Sequence, residues 1–555
     1  MLYHIQRHNT ELNLKPKPMR KLLSFIASLF ITGSLLAGGL VTNNNQSAMF
    51  TRLQNRNAST DIDAVYFNPA GLTKLGNGFF VSINNQTITQ TQKVISNYPF
   101  LSGTPKEYVG DVKAPLFPGV YVVYNAGKLS FSAGFNPIGG GGGAEYKTGL
   151  PTFEMPISVI PSGLSAQGIP TTQYSADIYF KGSSAYLGYQ GNIGYKINDK
   201  ISVAVGMRFV SATNKYNGHI NNISINPNYA KFGAAYNGNM VLASQFFTDG
   251  QTYLNGVSSQ LAGTASALQP IITGGGGSVP LSNGTAVGLT PVQVATLQGT
   301  VTALGGNPTN MTIGQTQAFI AANAVGYAGK AAIMGANAAG TQNVNVDATM
   351  SGTGITPIIS VNYSPTEQIN VSARYEFKTK IDLKTKVAPN MGGGLFINDS
   401  IGVGDMPASL SLGATFRPTK ELMVTASFNE YFDKNVNYDG QTNEIDKNFL
   451  EYGLGVEYAL TEKLRISAGW SHTTTGVNNN YQSSMSFSTN TNSFGGGFGY
   501  HITPMIDFNI AYQRAFYAEG SKPFDAILPI PAYTETYNKS TWMIAAGLDF
   551  SFGKK

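Results

Sequence analysis

From Gly78 onward the chain repeatedly alternates apolar residues with polar or small ones at a spacing of two, the pattern of strands. In residues 201–209, Ile201, Val203, Val205, Met207 and Phe209 fall on one side, and Ser202, Ala204, Gly206 and Arg208 on the other. Residues 369–378, 464–470, 506–513 and 542–552 repeat the pattern. The polar side is rich in Gly, Ser, Asn and Gln, whereas the outer face of a soluble sandwich carries charge. An apolar face turned to lipid and a polar face lining a lumen give this alternation in a transmembrane barrel. The candidates often reach about ten residues, enough for a tilted strand to cross a bilayer.

The connections point the same way. Short polar turns at 125–128, 198–200, 364–367, 417–420, 461–463 and 501–504 alternate with long links at 94–116, 138–181, 217–342, 386–406 and 517–539. Short periplasmic turns against long extracellular loops produce that asymmetry. The count is about 14 strands, an even number that puts both termini on the periplasmic side. The expected fold class is an all-β membrane protein, an antiparallel transmembrane β-barrel.

Composition agrees. Charged residues make up 12% of the 555, about half the usual share in soluble domains. The mean hydropathy of -0.07 is too polar for a bundle of membrane helices, and Tyr (29) and Phe (31) are abundant. Cys is absent, which excludes disulfides and thiolate metal sites. The net charge of +6 is weak evidence for nucleic-acid binding, and none is expected. Arg7, Lys15, Lys17, Arg20 and Lys21 all precede the long apolar stretch, and without them the chain is close to neutral.

That stretch, 22–40, follows Met19-Arg20-Lys21 and ends in the small residues Ala37-Gly38-Gly39. It reads as a cleaved signal peptide over 1–39 with a long leader, Met19 being an alternative start. Ser24, Ser28, Thr32, Gly33 and Ser34 weaken the competing reading as a membrane anchor. The expected location is the bacterial outer membrane. Near the C-terminus, 548–552 is similar to the aromatic-ended signal read by the barrel-assembly machinery, an expected partner, although its aromatic lies three residues short of the end.

Between the leader and the first strand lies a polar segment, 40–77, with Arg52, Arg56, Asp61 and Asp63 and the run Ala64-Val65-Tyr66-Phe67-Asn68-Pro69-Ala70-Gly71-Leu72. Asn68-Pro69-Ala70 resembles the hatch motif of the FadL family of outer-membrane transporters of hydrophobic compounds. The likeness continues at Gly134-Phe135-Asn136-Pro137-Ile138-Gly139 through Glu145-Tyr146, at Asp405-Met406-Pro407-Ala408 and over 493–500. It implies a 14-stranded barrel over 78–555 with the hatch, 40–77, inside its lumen. It further implies passive uptake of long-chain fatty acids or hydrocarbons by a monomer among outer-membrane lipids, without a cofactor. Extracellular loops would capture the ligand, the hatch would shift, and exit would be sideways through a gap at a kink in the third strand. Gly134, Asn136, Pro137 and Gly139 match that kink, and Pro and Gly runs inside strands do mark bends and breaks.

The long loop 217–342 has Lys231, Asp249 and Lys330 as its only Lys, Arg, Asp or Glu residues. Helices are expected near 292–304 and 315–334, and so little charge suits a hydrophobic capture surface. By alternation Arg208, Arg374, Glu376, Lys378, Arg465 and Asp507 point into the lumen. Arg208, Arg374 and Lys378 are candidates either to hold a ligand carboxylate or to brace the lumen in a charge network.

No enzymatic motif stands out, and no activity or metal is expected. The histidines, His4, His8, His219, His472 and His501, have no metal-ligand spacing. Ser471-His472 raises a lipase reading, which adjacency in sequence does not support. An exported barrel with long loops is also compatible with a general porin, or with a surface adhesin or receptor.

Overall fold

The computed structural model describes residues 40–392, 396–438, 442–527 and 530–553. The expected signal peptide, 1–39, lies outside the described residues. Fourteen strands form the wall. They are β1 (Gly78–Ser96), β2 (Lys106–Ala126), β3 (Leu129–Tyr146), β4 (Tyr174–Lys196), β5 (Ile201–Ile225), β6 (Val344–Tyr363) and β7 (Ile369–Glu376). The second half comprises β8 (Ser409–Phe416), β9 (Leu422–Tyr431), β10 (Phe449–Ala459), β11 (Leu464–Thr474), β12 (Thr491–Thr503), β13 (Ile506–Tyr517) and β14 (Tyr533–Ser551). Each pairs with its neighbours in chain order, and β14 returns to β1 in antiparallel register from Phe80↔Ser551 to Ser96↔Glu535. Closure pairs the last strand with the first, the condition for strands to cross lipid.

The faces divide as the alternation predicts. On β5, Val205 and Met207 are 61% and 57% exposed, whereas Ser202 and Arg208 are 0% and 1% exposed. Exposed aromatics gather near the short turns: Tyr124, Phe131, Tyr195, Tyr363, Phe416, Tyr458 and Tyr500. Rings with one polar and one apolar side favour the headgroup level of a bilayer, so this girdle marks one membrane interface. Phe552 belongs to it and stacks on Phe79 with centroids 6.3 Å apart.

Short and long links alternate around the whole barrel, but the strands outrun the sequence pattern. β1 and β2 extend into the expected 94–116 loop, β3 and β4 into 138–181, and β5 into 217–342. Beyond the lipid a strand has no apolar face to present, so its alternation fades while its ladder continues. The 386–406 link likewise contains paired strands, Asp382–Gly392 with Ile401–Val403.

Residues 40–77 fill the lumen. Ser47 caps helix α1 (Ala48–Leu53) by accepting the Phe50 N–H at 2.9 Å. Gln54 and Asn55, at φ 52° and 56°, end it. Helix α2 (Ala64–Phe67) and a 3₁₀ turn over Pro69–Lys74 follow. The seat of α1 is a row of glycines. Gly455, Gly469 and Gly495 stand opposite one another across β10, β11 and β12. A β-carbon on any of them would fall 2.0–2.3 Å from the carbonyl oxygen of Leu53 or Thr51.

A second compact unit comprises residues 157–177 and 220–343. Its helices include Ala243–Ala267, Pro291–Ala303 and Ile313–Gly340, the last two started by capping boxes at Thr290/Gln293 and Thr312/Gln315. Leu281, Val301, Ile313 and Ile320 are central to its own apolar core. The 243–267 helix escapes the sequence pattern because Gly, Ser, Thr and Asn interrupt its apolar stripe. No helix among the described residues is long and apolar enough to cross a membrane.

Candidate functional site: the broken seam and the hatch

Pro137 removes a backbone donor from β3, and Gly139–Gly143 remove side chains. Pairing of β2 with β3 runs from Ala126↔Leu129 to Val120↔Phe135 and resumes at Val112↔Ala144. Across this seam, 113–119 of β2 and 136–143 of β3 have no ladder partners in one another. On its other side β3 stays paired with β4, with register shifts at Pro137/Gly139 and Gly139/Gly142. The break is therefore confined to the β2/β3 side.

Two residues that the sequence pattern did not single out contribute from β2. Pro115 and Pro118 lie in its unpaired stretch and lack the N–H groups a ladder needs. Asn85 of β1 caps this irregular piece, donating to the Pro115 carbonyl at 3.1 Å and accepting the Phe117 N–H at 2.9 Å. Two prolines within a few residues of one strand were the signal available.

The hatch takes up the freed edge of β3. The Asn43 N–H donates to the Ile138 carbonyl at 2.8 Å, and the Gly140 N–H to the Val41 carbonyl at 3.2 Å. Thr42 and Gly139 thereby form an antiparallel bridge. Asn136 donates to Gln46 Oε1 at 2.7 Å. Gly134 lies lower on β3, where a β-carbon would meet Val65 of the hatch and Tyr121 at 3.0 Å.

The Asn68-Pro69-Ala70 run fastens the hatch to the opposite wall. Asn68 Nδ2 donates to the Ser59 carbonyl at 2.9 Å and to Asn362 Oδ1 of β6 at 2.8 Å. The Ala70 N–H reaches Ser360 Oγ, and the Ala70 carbonyl accepts from Ser202 Oγ at 2.7 Å. Pro69 opens the 3₁₀ turn, where its missing N–H is not needed.

Arg208 and Arg374 converge on one carboxylate. Arg208 makes a two-pronged pair with Glu376 at 2.7 and 2.9 Å and also donates to Gln190. Arg374 lies 3.3 Å from Glu376 and donates to the Tyr66 carbonyl. Both guanidinium groups lie 4.9 Å from the centre of the Tyr66 ring, so a hatch tyrosine is held between two cations. Nothing in the sequence singled out Tyr66 or Gln190. Lys378 stands apart, 3.0 Å from Asp405, with 42% of its side chain exposed. An enclosed cavity of about 20 Å³ adjoins this cluster, lined among others by Thr42, Ile138, Met406 and Tyr431. That is room for water, not for a ligand. Tyr186, Ile381, Leu383 and Phe449 belong to the same buried apolar cluster as Ile138, Met406 and Tyr431.

Two further charge clusters hold the hatch. Arg56 pairs with Asp63 at 2.8 Å and with Asp61 at 2.6 Å. Burial opposes ionisation of Asp61, but the Arg56 guanidinium outweighs it and holds the carboxyl at about 2. Arg52 pairs with Glu457, which Arg465 approaches at 3.9 Å, and Arg465 also lies 3.8 Å from Asp507.

Ser471 and His472 are neighbours on β11, so their side chains project to opposite faces. His472 Nδ1 is 2.9 Å from Asn492 Oδ1, beside Tyr452 and Trp470. The two do not form a nucleophile–base pair.

The model of the outer membrane protein beta-barrel domain matches residues 311–501. No curated protein sequence matches the chain. Among solved structures, a FadL homologue of Pseudomonas aeruginosa superposes with a TM-score of 0.55 at 12% identity, covering 93% of this chain and all of its own. The toluene transporter TodX of Pseudomonas putida gives 0.45 at 14% identity, over 93% of this chain and 99% of its own. At 12% identity the likeness to the FadL homologue is one of fold, and the fold is FadL-like.

Proposed function

We propose that this FadL-like barrel is an outer-membrane protein that takes up hydrophobic compounds, long-chain fatty acids or hydrocarbons, by passive diffusion with lateral exit. The seam between β2 and β3 carries the reading: a run of wall without ladder bonds, covered from inside by residues 41–43 of the hatch. Unsatisfied backbone is costly in lipid, so a break of this size favours a built feature over a defect. Movement of the hatch strand away from β3 would connect the lumen to the hydrocarbon core. A ligand that prefers lipid to water would then leave through the wall. The names of the solved relatives, a FadL homologue and a toluene transporter, are consistent with such a cargo.

The charged residues favour bracing over ligand capture. Arg208 and Arg374 are already matched to Glu376, so a fatty-acid carboxylate would have to displace it. Lys378, half-exposed beside Asp405, is the more accessible basic group. The 217–342 loop, with its sparse charge, is the proposed capture surface. Export through a cleaved signal peptide, assembly by the barrel machinery and action as a monomer among outer-membrane lipids complete the proposal.

The test is uptake of a labelled hydrocarbon and a labelled long-chain fatty acid by cells with and without the protein, alongside conductance in planar bilayers. Faster uptake with little ion current is expected. Disulfides engineered to join 113–119 to 136–143 should suppress it. Large, steady currents would instead identify a general porin.

A further inference from the structure

Asp433 follows β9 in a short 3₁₀ turn, and its side chain is completely buried. Oδ1 accepts two hydrogen bonds, from the Tyr438 hydroxyl and, at 3.2 Å, from the backbone nitrogen of Leu40. Oδ2 is buried with no hydrogen-bond partner among the described residues. Among the described residues, the groups that face the carboxyl are neutral: Tyr438, with Tyr481 nearby, and the apolar side chains of Leu40 and Val436. Burial accordingly pushes the Asp433 carboxyl up to about 7, despite the hydrogen bonds from Tyr438 and Leu40 that favour its anion. A buried carboxylate without a cation is expensive, and a single peptide N–H offsets little of that cost.

The residue that supplies this N–H is also special in the sequence. Leu40 directly follows Ala37-Gly38-Gly39, small residues at the third and first places before the Gly39–Leu40 bond, the arrangement a signal peptidase requires. We infer that the chain is processed at Gly39–Leu40 and that the new α-ammonium of Leu40 is the cationic partner of Asp433, an ion pair that anchors the hatch strand over the β2/β3 seam. Cleavage is an ordinary hydrolysis: the peptide bond takes up water, leaving a carboxylate on Gly39 and an amine on Leu40 that is protonated near neutral pH. In place of one N–H, Asp433 then faces three donors and a full positive charge, enough to satisfy Oδ2 as well. Leu40 directly precedes Val41 of the Val41–Gly140 hydrogen bond and is separated by two residues from Asn43 of the Asn43–Ile138 bond, so the pair would hold the end of the segment that covers the seam.

The inference does not depend on what the barrel transports. The precursor would be expressed with export, purified from outer membranes and its N-terminus read by mass spectrometry. A mature chain starting at Leu40 is expected, and any other start overturns the inference. Asp433→Asn would then be compared in two backgrounds, the native precursor and one with Gly-Ser inserted between Gly39 and Leu40, which moves the amine off the carboxyl. In the native background the substitution strands a buried ammonium and should lower the thermal unfolding midpoint. In the extended background it removes an unpaired buried carboxylate and should leave the midpoint unchanged or raise it. Equal lowering in both would overturn the ion pair even if the chain begins at Leu40.

Discussion

A β-carbon placed on Gly139 would lie 1.9 Å from the carbonyl oxygen of Val41, so the hatch strand and the freed edge of β3 meet with no room for a side chain between them. Gly139→Ala should push residues 41–43 off β3 at a cost of about 1–3 kcal/mol, typical of an overpacked contact. The barrel itself should persist, as judged by its heat-modifiable mobility in gels. Bilayer recordings should show larger ion currents than those of the native protein.

The glycine row beneath α1 offers a second test. Gly469→Val would drive a side chain into the Leu53 carbonyl, whereas Gly496, on the neighbouring strand and the opposite face, has no atom nearer than 3.4 Å to its β-carbon position. The first substitution should lower the unfolding temperature clearly, and Gly496→Val should change it little. Equal effects would mean that the row is not the hatch's seat.

Arg208 and Glu376 form a buried pair; removing Glu376 strands two guanidinium groups, and removing Arg208 leaves Glu376 with Arg374 alone, at 3.3 Å. Either Arg208→Ala or Glu376→Ala should destabilise by roughly 3–5 kcal/mol, the range for breaking such pairs. The double variant should lose less than the sum, because no unpaired charge remains beyond Arg374. Chemical denaturation of the four proteins in one detergent measures the coupling.

Asp61 predicts how the hatch responds to acid. Its folded carboxyl titrates at about 2 rather than the ordinary 3.8. A lowered folded value contributes stability that is present above the unfolded value and is lost as pH falls through the folded one. Protease resistance of 40–77 should therefore hold at pH 5 and decline between about pH 4 and 2. Because the side chain keeps 40% of its exposure, the loss should be modest and weaker in high salt. Arg56→Gln should remove this transition.

Much of the wall was legible in the sequence because each strand states its own case. Val205 and Met207 must face lipid and Ser202 and Arg208 must not, and the two-residue period makes that division local. Short and long links could be told apart for the same reason. The ends of β1–β5 were harder: outside the membrane both faces of a strand meet polar surroundings, and the alternation that marks it disappears. The hatch was visible as Asn68-Pro69-Ala70, and the break in β3 as Pro137 and its glycines. Pro115 and Pro118 on the facing strand escaped notice because a proline pair has meaning only once its partner strand is known.

By itself, then, the sequence determined the strand periodicity, the parity of the connections and the irregular backbone at 68–70 and 137–143. These follow from bonding and sterics within a few residues. Which groups meet across the lumen was decided by closure of the sheet alone. Arg208 faces Glu376, Tyr66 enters between two guanidinium groups, and Val41 lies on Gly139, although each pair is far apart in the chain. Such meetings depend on how the strands are staggered around the barrel and how deeply the hatch is seated, and no local pattern encodes either.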